Sequence, residues 1–422
     1  MKHHNPISLI ILSLTTLLTL SSCQTEEDTH DPFFDTYYIT DMGLNVSTAH
    51  QSGGITVPAK FNAVTGTLTP LCEDPLCTHT VDSDCPFIGY SKNNSYYEDG
   101  ILYYWVNRTN TAGFQNELMA YNMETAASHV VVTDEELNEF FAESGAESTG
   151  YNYQFANGYY YRRLRDDNDN TIGYCRVRLS DGSIEEIPDD TVVPSAYYKN
   201  GQYIFVEYNG GIANGFYLAD ETGEPGNDHD VHLADKQIAI LFDEEITDDT
   251  LLYCTIRRDE NGAWLWEEMT LWAYNIEARE EHVVIESFPD VYLVRVGGYV
   301  YYTLYLDDAP VIGINENYNG KEVVNRSGGI LWRTDIETGE TEKAFELPAY
   351  TLIGTDIHRV GERVVIGYQN TDYSDYIVET TDRGEWYQYK ETTGRIVFDT
   401  AAGTVGIYEE EEVENGSTII SD

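Results

Sequence analysis

Positive charge is what this chain lacks most. Against 73 Asp and Glu it carries 24 Lys and Arg, for a formal net charge of −49. Binding to nucleic acid needs cations that displace phosphate counterions, so nucleic acid is excluded as a partner. The same deficit excludes a chain that lies flat on an anionic lipid surface. The acidic excess is spread along the whole length and reads as the solubilising surface of an exported protein, with a cationic partner as the other reading. Long apolar runs are scarce as well. Only residues 7–20 are apolar over any length, and that run is shorter than a membrane span. The common catalytic signatures are missing too. No Gly-rich phosphate loop precedes a helix, and neither a Gly-x-Ser-x-Gly elbow nor a His-Glu-x-x-His pair occurs.

The chain opens on the basic start Met1-Lys2-His3-His4, and its apolar run closes on Leu20-Ser21-Ser22-Cys23. That ending resembles the lipobox of bacterial lipoproteins. The resemblance implies a signal peptide over 1–22 and lipid attachment at Cys23. Residues 24–32 are polar and acidic and predict a short tether. The expected location is the outer face of the bacterial cytoplasmic membrane, with the membrane touched through the lipid alone.

What the rest has in quantity is aromatic residues, with 34 Tyr and 14 Phe. Tyr suits pleated, half-buried strands. A unit recurs: an aromatic strand, often after Gly, then a second strand that closes in a turn, then a last strand. Seven closing turns align: Phe61–Gly66, Tyr121–Ala126, Val177–Gly182, Leu218–Gly223, Tyr274–Arg279, Thr334–Gly339 and Tyr389–Gly394. Gly supplies positive φ in such a turn, while Asp or Thr bonds its backbone. The mean period is about 55 residues, longer than common propeller blades, and insertions such as 307–327 fill the difference. A short helix is expected over Glu135 to Ala146.

The fold class is therefore all-β, a β-propeller of about seven four-stranded blades, with six or eight as the alternatives. The domain organisation is 1–22 signal peptide, 23–32 lipidated Cys and tether, 33–408 propeller and 409–422 acidic tail.

Potential ligands concentrate in one stretch. Cys72, Cys77, His79 and Cys85 fall within 14 residues, with Pro75 and Pro86 stiffening the chain between and beside them. Three thiolates and an imidazole complete a tetrahedral zinc site. An oxidising compartment favours a disulfide between two of the cysteines instead, although three leave one over. Both readings stand at this point, and zinc is the one cofactor they bring in. Cys175 and Cys254 each lie in an apolar strand run and read as small buried hydrophobes. The Asp166–Asn170 run has oxygen ligands at alternate positions, as calcium needs, yet it lacks the central Gly and closing Glu of an EF-hand and reads as a solvated turn. His229 and His232 lie in a polar loop.

Lipobox, Tyr-rich repeats and the Cys-x4-Cys-x-His-x5-Cys-Pro-Phe stretch together resemble a group of β-propeller lipoproteins of Gram-positive gut bacteria. The resemblance implies a fold and a location, and brings no chemistry with it. Two readings of function follow. The first is a lipid-anchored surface propeller that binds a glycan or peptide or serves as an interaction scaffold. The second is a secreted enzyme that degrades polysaccharide or peptide with carboxylates near the propeller axis.

Overall fold

The computed structural model describes residues 32–410 and 420–421, apart from 49–50, 73, 75–76, 78–84, 111–112, 145–147, 157, 166–170, 188–193, 198–201, 210–211, 220–230, 233–236, 242–248, 260–262, 264, 266–267, 289–292, 306–310, 319, 325–326, 348–350 and 382–383. Cys23, His79, His229, the Asp166–Asn170 run and the end of the fourth closing turn lie outside the described residues.

Among the described residues the strands form seven antiparallel sheets that follow one another along the chain, and an eighth, two-stranded one inserted within the sixth. The first holds β1 (Tyr37–Thr48), β2 (Gln51–Asn62) and β3 (Thr67–Pro70). The second holds β4 (Tyr90–Glu98), β5 (Ile101–Asn110), β6 (Gly113–Asn122) and β7 (Ser128–Thr133). Helix α1 (Asp134–Ser144) follows, capped reciprocally: the Thr133 hydroxyl accepts from Glu136 N and the Glu136 carboxylate from Thr133 N. The third sheet holds β8 (Ser148–Ala156), β9 (Tyr159–Arg165), β10 (Thr171–Arg178) and β11 (Ile184–Ile187). The fourth holds β12 (Pro194–Tyr197), β13 (Tyr203–Asn209), β14 (Ile212–Ala219) and β15 (Val231–His232). The fifth holds β16 (Gln237–Leu241), β17 (Thr250–Ile256), β18 (Met269–Asn275) and β19 (Glu280–Phe288).

The sixth sheet runs β20 (Leu293–Val296) and β21 (Tyr299–Tyr305), sends out a separate hairpin of β22 (Val311–Asn315) and β23 (Lys321–Val324), and returns as β24 (Ser327–Asp335) and β25 (Thr341–Glu346). That hairpin is the insertion expected between 307 and 327. The seventh holds β26 (Thr351–Val360), β27 (Arg363–Thr381), β28 (Gly384–Asp399), β29 (Thr404–Glu410) and β30 (Ile420–Ser421). Glu409 and Glu410, at the start of the stretch expected as a tail, pair with Gly394 and Thr393 in this sheet.

The closing turns explain the repeat. In six of them the backbone N–H of one residue donates to the carbonyl four positions earlier, as from Gly66 to Asn62, Ala126 to Asn122, Gly182 to Arg178, Arg279 to Asn275, Gly339 to Asp335 and Gly403 to Asp399. The donor residue has positive φ each time, between 56° and 72°. In five, the Asn or Asp that opens the turn also accepts a backbone N–H through its side chain, at 2.7–2.9 Å. The seventh turn is a correction. Tyr389–Gly394 lies inside β28, and the sheet closes instead through Asp399–Gly403. Gly394 is demanded by space rather than by turn geometry: a Cβ there would lie 2.1 Å from Tyr408 O and 2.7 Å from the Tyr368 hydroxyl.

The second strand of most sheets buries a whole tyrosine. Tyr104, Tyr160, Tyr253, Tyr301 and Tyr368 are all fully buried on β5, β9, β17, β21 and β27. Each such ring is sandwiched between neighbouring sheets. Apolar clusters bridge the second sheet to the third, the fourth to the fifth, the fifth to the sixth and the sixth to the seventh. Another cluster joins Tyr38, Val57 and Phe61 of the first sheet to Val360, Val365 and Val397 of the seventh. The order is therefore cyclic. First strands of neighbouring sheets lie against one another, β8 with β12, β20 with β26 and β26 with β1, so the first strands face the axis. This is a seven-bladed β-propeller, as expected, with three strands in its first blade and five in its last.

The junction of last and first blades is also polar. Arg395 of β28 is buried and donates from Nε to the Tyr38 hydroxyl, and from a terminal nitrogen to Thr40 Oγ1 at 3.1 Å. His358 of β26 stacks on Tyr38 at 4.6 Å. Among the described residues no helix is long and apolar enough to cross a membrane.

Candidate functional site

Two places on the propeller gather chemistry. The first is the segment between β3 and β4. Its ends are fixed by the fold: Leu71 N donates to Pro58 O, and the buried Tyr121 hydroxyl donates to Leu71 O at 2.8 Å. Phe87 is fully buried, with its ring 5.1 Å from that of Tyr104 and 4.8 Å from that of Tyr121. The Tyr104 hydroxyl reaches Pro86 O. Leu71, Cys72, Cys85 and Phe87 of the segment thus plug the space between the first two blades with an apolar cluster.

In that plug, Cys72, Cys77 and Cys85 carry thiols whose sulfurs all lie within 4.8 Å of one another. Cys72 and Cys85 are buried and Cys77 half-buried. The bond from Cys77 N to Asp74 O turns the chain back so that Cys77 meets Cys72. Burial raises both the Cys72 and the Cys85 thiol above the ordinary range. Alone, the trio is a cluster of thiols, weak donors and weak acceptors. With a cation in its midst it is a set of soft anionic ligands.

Cys175 and Cys254 are fully buried in the third and fifth blades, and burial pushes the Cys175 thiol up to about 12. They are core residues, as expected. His232 falls on β15.

The second place went unread in the sequence. The β22–β23 hairpin of the sixth blade meets the long β27–β28 hairpin of the seventh. The Asn317 amide bonds both the N–H and the C=O of Tyr387, each at 2.7 Å, in the manner of a strand neighbour. Glu316 N donates to the Tyr389 hydroxyl at 2.7 Å. Asp372 accepts from Ser374 N and Oγ, a tight turn that interrupts the β27–β28 register between Asp372 and Tyr376. Tyr373 and Tyr376 then pack against Tyr389, the first tilted at 5.0 Å and the second edge-on at 5.7 Å.

The result is an open cleft of about 380 Å³. Trp386, Tyr373, Tyr387 and Tyr389 form its aromatic walls, and Asn315, Thr371, Gln388 and Glu391 supply polar groups. Trp386 remains 52% exposed, an unusual state for so large an apolar ring. A signal existed in the sequence: Trp386-Tyr387-Gln388-Tyr389 follows the turn-forming Asp382-Arg383-Gly384 and cannot be core on both faces of a two-stranded ribbon.

No protein-family model matches the sequence, and no curated protein is similar to it. Solved structures to which the chain is similar include a prolyl endopeptidase, at 10% identity and a TM-score of 0.43, over 79% of this chain and 53% of that one. An oligogalacturonate lyase from Vibrio parahaemolyticus aligns at 9% identity and a TM-score of 0.43, over 79% of this chain and 93% of that one. The β-propeller domain of the trilobed protease from Pyrococcus furiosus aligns at 10% identity and a TM-score of 0.38, over 79% and 97%. The chain spans about half the length of the prolyl endopeptidases it matches.

Proposed function

We propose that this chain is a lipid-anchored surface propeller, tethered through Cys23 outside the cell, that binds saccharides in the cleft between its sixth and seventh blades. The observation that carries the binding reading is the cleft itself. Sugar rings present C–H faces that pack on aromatic rings, and hydroxyls that pair with amides and carboxylates. Trp386 and Tyr387 are the platform, and Asn315, Gln388 and Glu391 are the polar partners. Tyr387 is held by Asn317, and Tyr389 by the Glu316 N–H and the Tyr373 ring, before any ligand arrives, which lowers the ordering cost of binding. The anchor is supported by the sequence alone, through the Leu20–Cys23 ending.

The test is a screen of the full-length protein against neutral and acidic oligosaccharides, followed by titration calorimetry. Trp386→Ala is expected to weaken the best ligand at least tenfold, about 1.4 kcal/mol. Binding of extended peptides with no oligosaccharide bound would reassign the ligand class. No binding by either class, or binding untouched by Trp386→Ala, would defeat the reading. Shortening of the oligosaccharide during incubation would favour the enzyme reading instead.

A further inference from the structure

We infer that Cys72, Cys77 and Cys85 together hold a soft divalent cation, zinc foremost, as a structural centre that staples the 71–89 segment between the first and second blades. The site is separate from the cleft and does not rest on it.

The geometry is the first support. Tetrahedral zinc with Zn–S bonds of about 2.3 Å sets its sulfurs about 3.8 Å apart. Three sulfurs mutually within 4.8 Å need only a small inward shift to meet one ion. A disulfide needs two of them at about 2.05 Å and leaves the third buried against the bridge with no role. Convergence of all three on one point is what a shared ion explains and a pairwise bond does not.

The surroundings are the second support. The segment hangs from fixed points on both sides: Tyr121 holds Leu71 O, Tyr104 holds Pro86 O, and Phe87 is locked between their rings. Asn107 N bonds Gly89 O at 2.7 Å where the segment returns to the second blade. Ligands are thus gathered before the ion arrives, and the ordering cost is reduced. Apolar neighbours such as Leu71, Leu102 and Met119 bury Cys72 and Cys85, while Cys77 stays half-buried. Loading releases the three thiol protons and leaves three thiolates on the ion, shielded from the oxidants of an extracytoplasmic compartment. The inference concerns the three sulfurs and is independent of which donor completes the shell.

The experiment uses the full-length protein purified without chelator or reductant. Metal content, the number of alkylatable thiols before and after chelation, and intact mass are read on one sample. About one zinc per chain is expected, with three further thiols becoming alkylatable once a chelator removes it. Exchange for cobalt is expected to give the absorption of thiolate-bound tetrahedral cobalt. Cys72→Ser, Cys77→Ser and Cys85→Ser should each lower cobalt affinity at least tenfold, while Cys175→Ser leaves it unchanged. If the three variants do not fold, the cobalt spectrum and chelator-gated alkylation of the unaltered chain still decide. A metal-free chain about two daltons lighter than its reduced form, which is a disulfide, would overturn the inference. So would a metal-free chain whose three thiols are alkylated at once.

Discussion

Removing the guanidinium that joins the last blade to the first should loosen one seam of the ring and leave the rest intact. Arg395→Met keeps much of the aliphatic stem and deletes the bonds from Nε to the Tyr38 hydroxyl and from the terminal nitrogens to Thr40 Oγ1 and Gly394 O. Tyr38 and Thr40 are 4% and 6% exposed, so water does not readily replace what they lose. Each buried polar group deprived of a partner costs about 1–3 kcal/mol, or about 2–6 kcal/mol for the two hydroxyls. Part of this is returned, because a charge no longer has to be desolvated. A net loss of about 2 kcal/mol is expected, some thirtyfold in the opening equilibrium. Tyr38→Phe removes one of the three bonds and should cost about 1 kcal/mol. Combined with Arg395→Met it should be less than additive, since both report one interaction. Native-state hydrogen exchange is the assay. Protection should fall in β1, β2 and β26 and hold in β9 and β17. A loss below about 0.5 kcal/mol, or an equal loss in all blades, would refute the account of the seam.

Two further predictions concern local chemistry. Gly394→Ala should destabilise by several kcal/mol because its Cβ meets backbone, whereas Gly403→Ala, with nothing within 4 Å but φ of +63°, should cost about 1–2 kcal/mol, as read by urea unfolding; similar costs would contradict the reassigned seventh turn. Burial, reinforced by Asp99, raises the Glu98 carboxyl above the ordinary glutamate range, against the Tyr96 hydroxyl and Gly158 N–H that favour its charged form. The folded state then takes up this proton more readily than the unfolded chain, so the contribution is full below the ordinary glutamate value and is lost as pH rises through the raised one. Glu98→Gln should remove that slope from the difference between the two stability–pH curves, and parallel curves would refute it.

The repeat was legible because it rests on local chemistry. Asn62, Asn122, Asn275 and Asp335 each open a turn by accepting backbone N–H groups, and short motifs of this kind can be read without knowing what packs against them. The seventh turn was misplaced for the same reason. Thr393-Gly394 looks like Thr65-Gly66, but its glycine answers to Tyr408 and Tyr368, which are neighbours in space. The spacing of Cys72, Cys77 and Cys85 marked the cluster, while the meeting of all three sulfurs depends on how Phe87 and Tyr121 seat the segment. The cleft was hidden by composition. Tyr387 and Tyr389 on an exposed ribbon look no different in sequence from Tyr103 and Tyr104 in the core. The turn residues just ahead of Trp386 were the one sequence clue, and the cleft itself depends on two hairpins from different blades meeting in space.

Each blade is one uninterrupted stretch of chain, and among the described residues no ladder of backbone bonds crosses from the seventh sheet to the first. A force that enters ahead of Tyr37 therefore falls on an edge strand. It can unzip β1 from β2 pair by pair, starting at Tyr37–Asn62, instead of shearing many bonds at once. The Arg395 clasp grips Tyr38 and Thr40, the second and fourth residues of that strand. Under the anchoring proposed through Cys23, the side chains that complete the circle would also be the first to bear a pull.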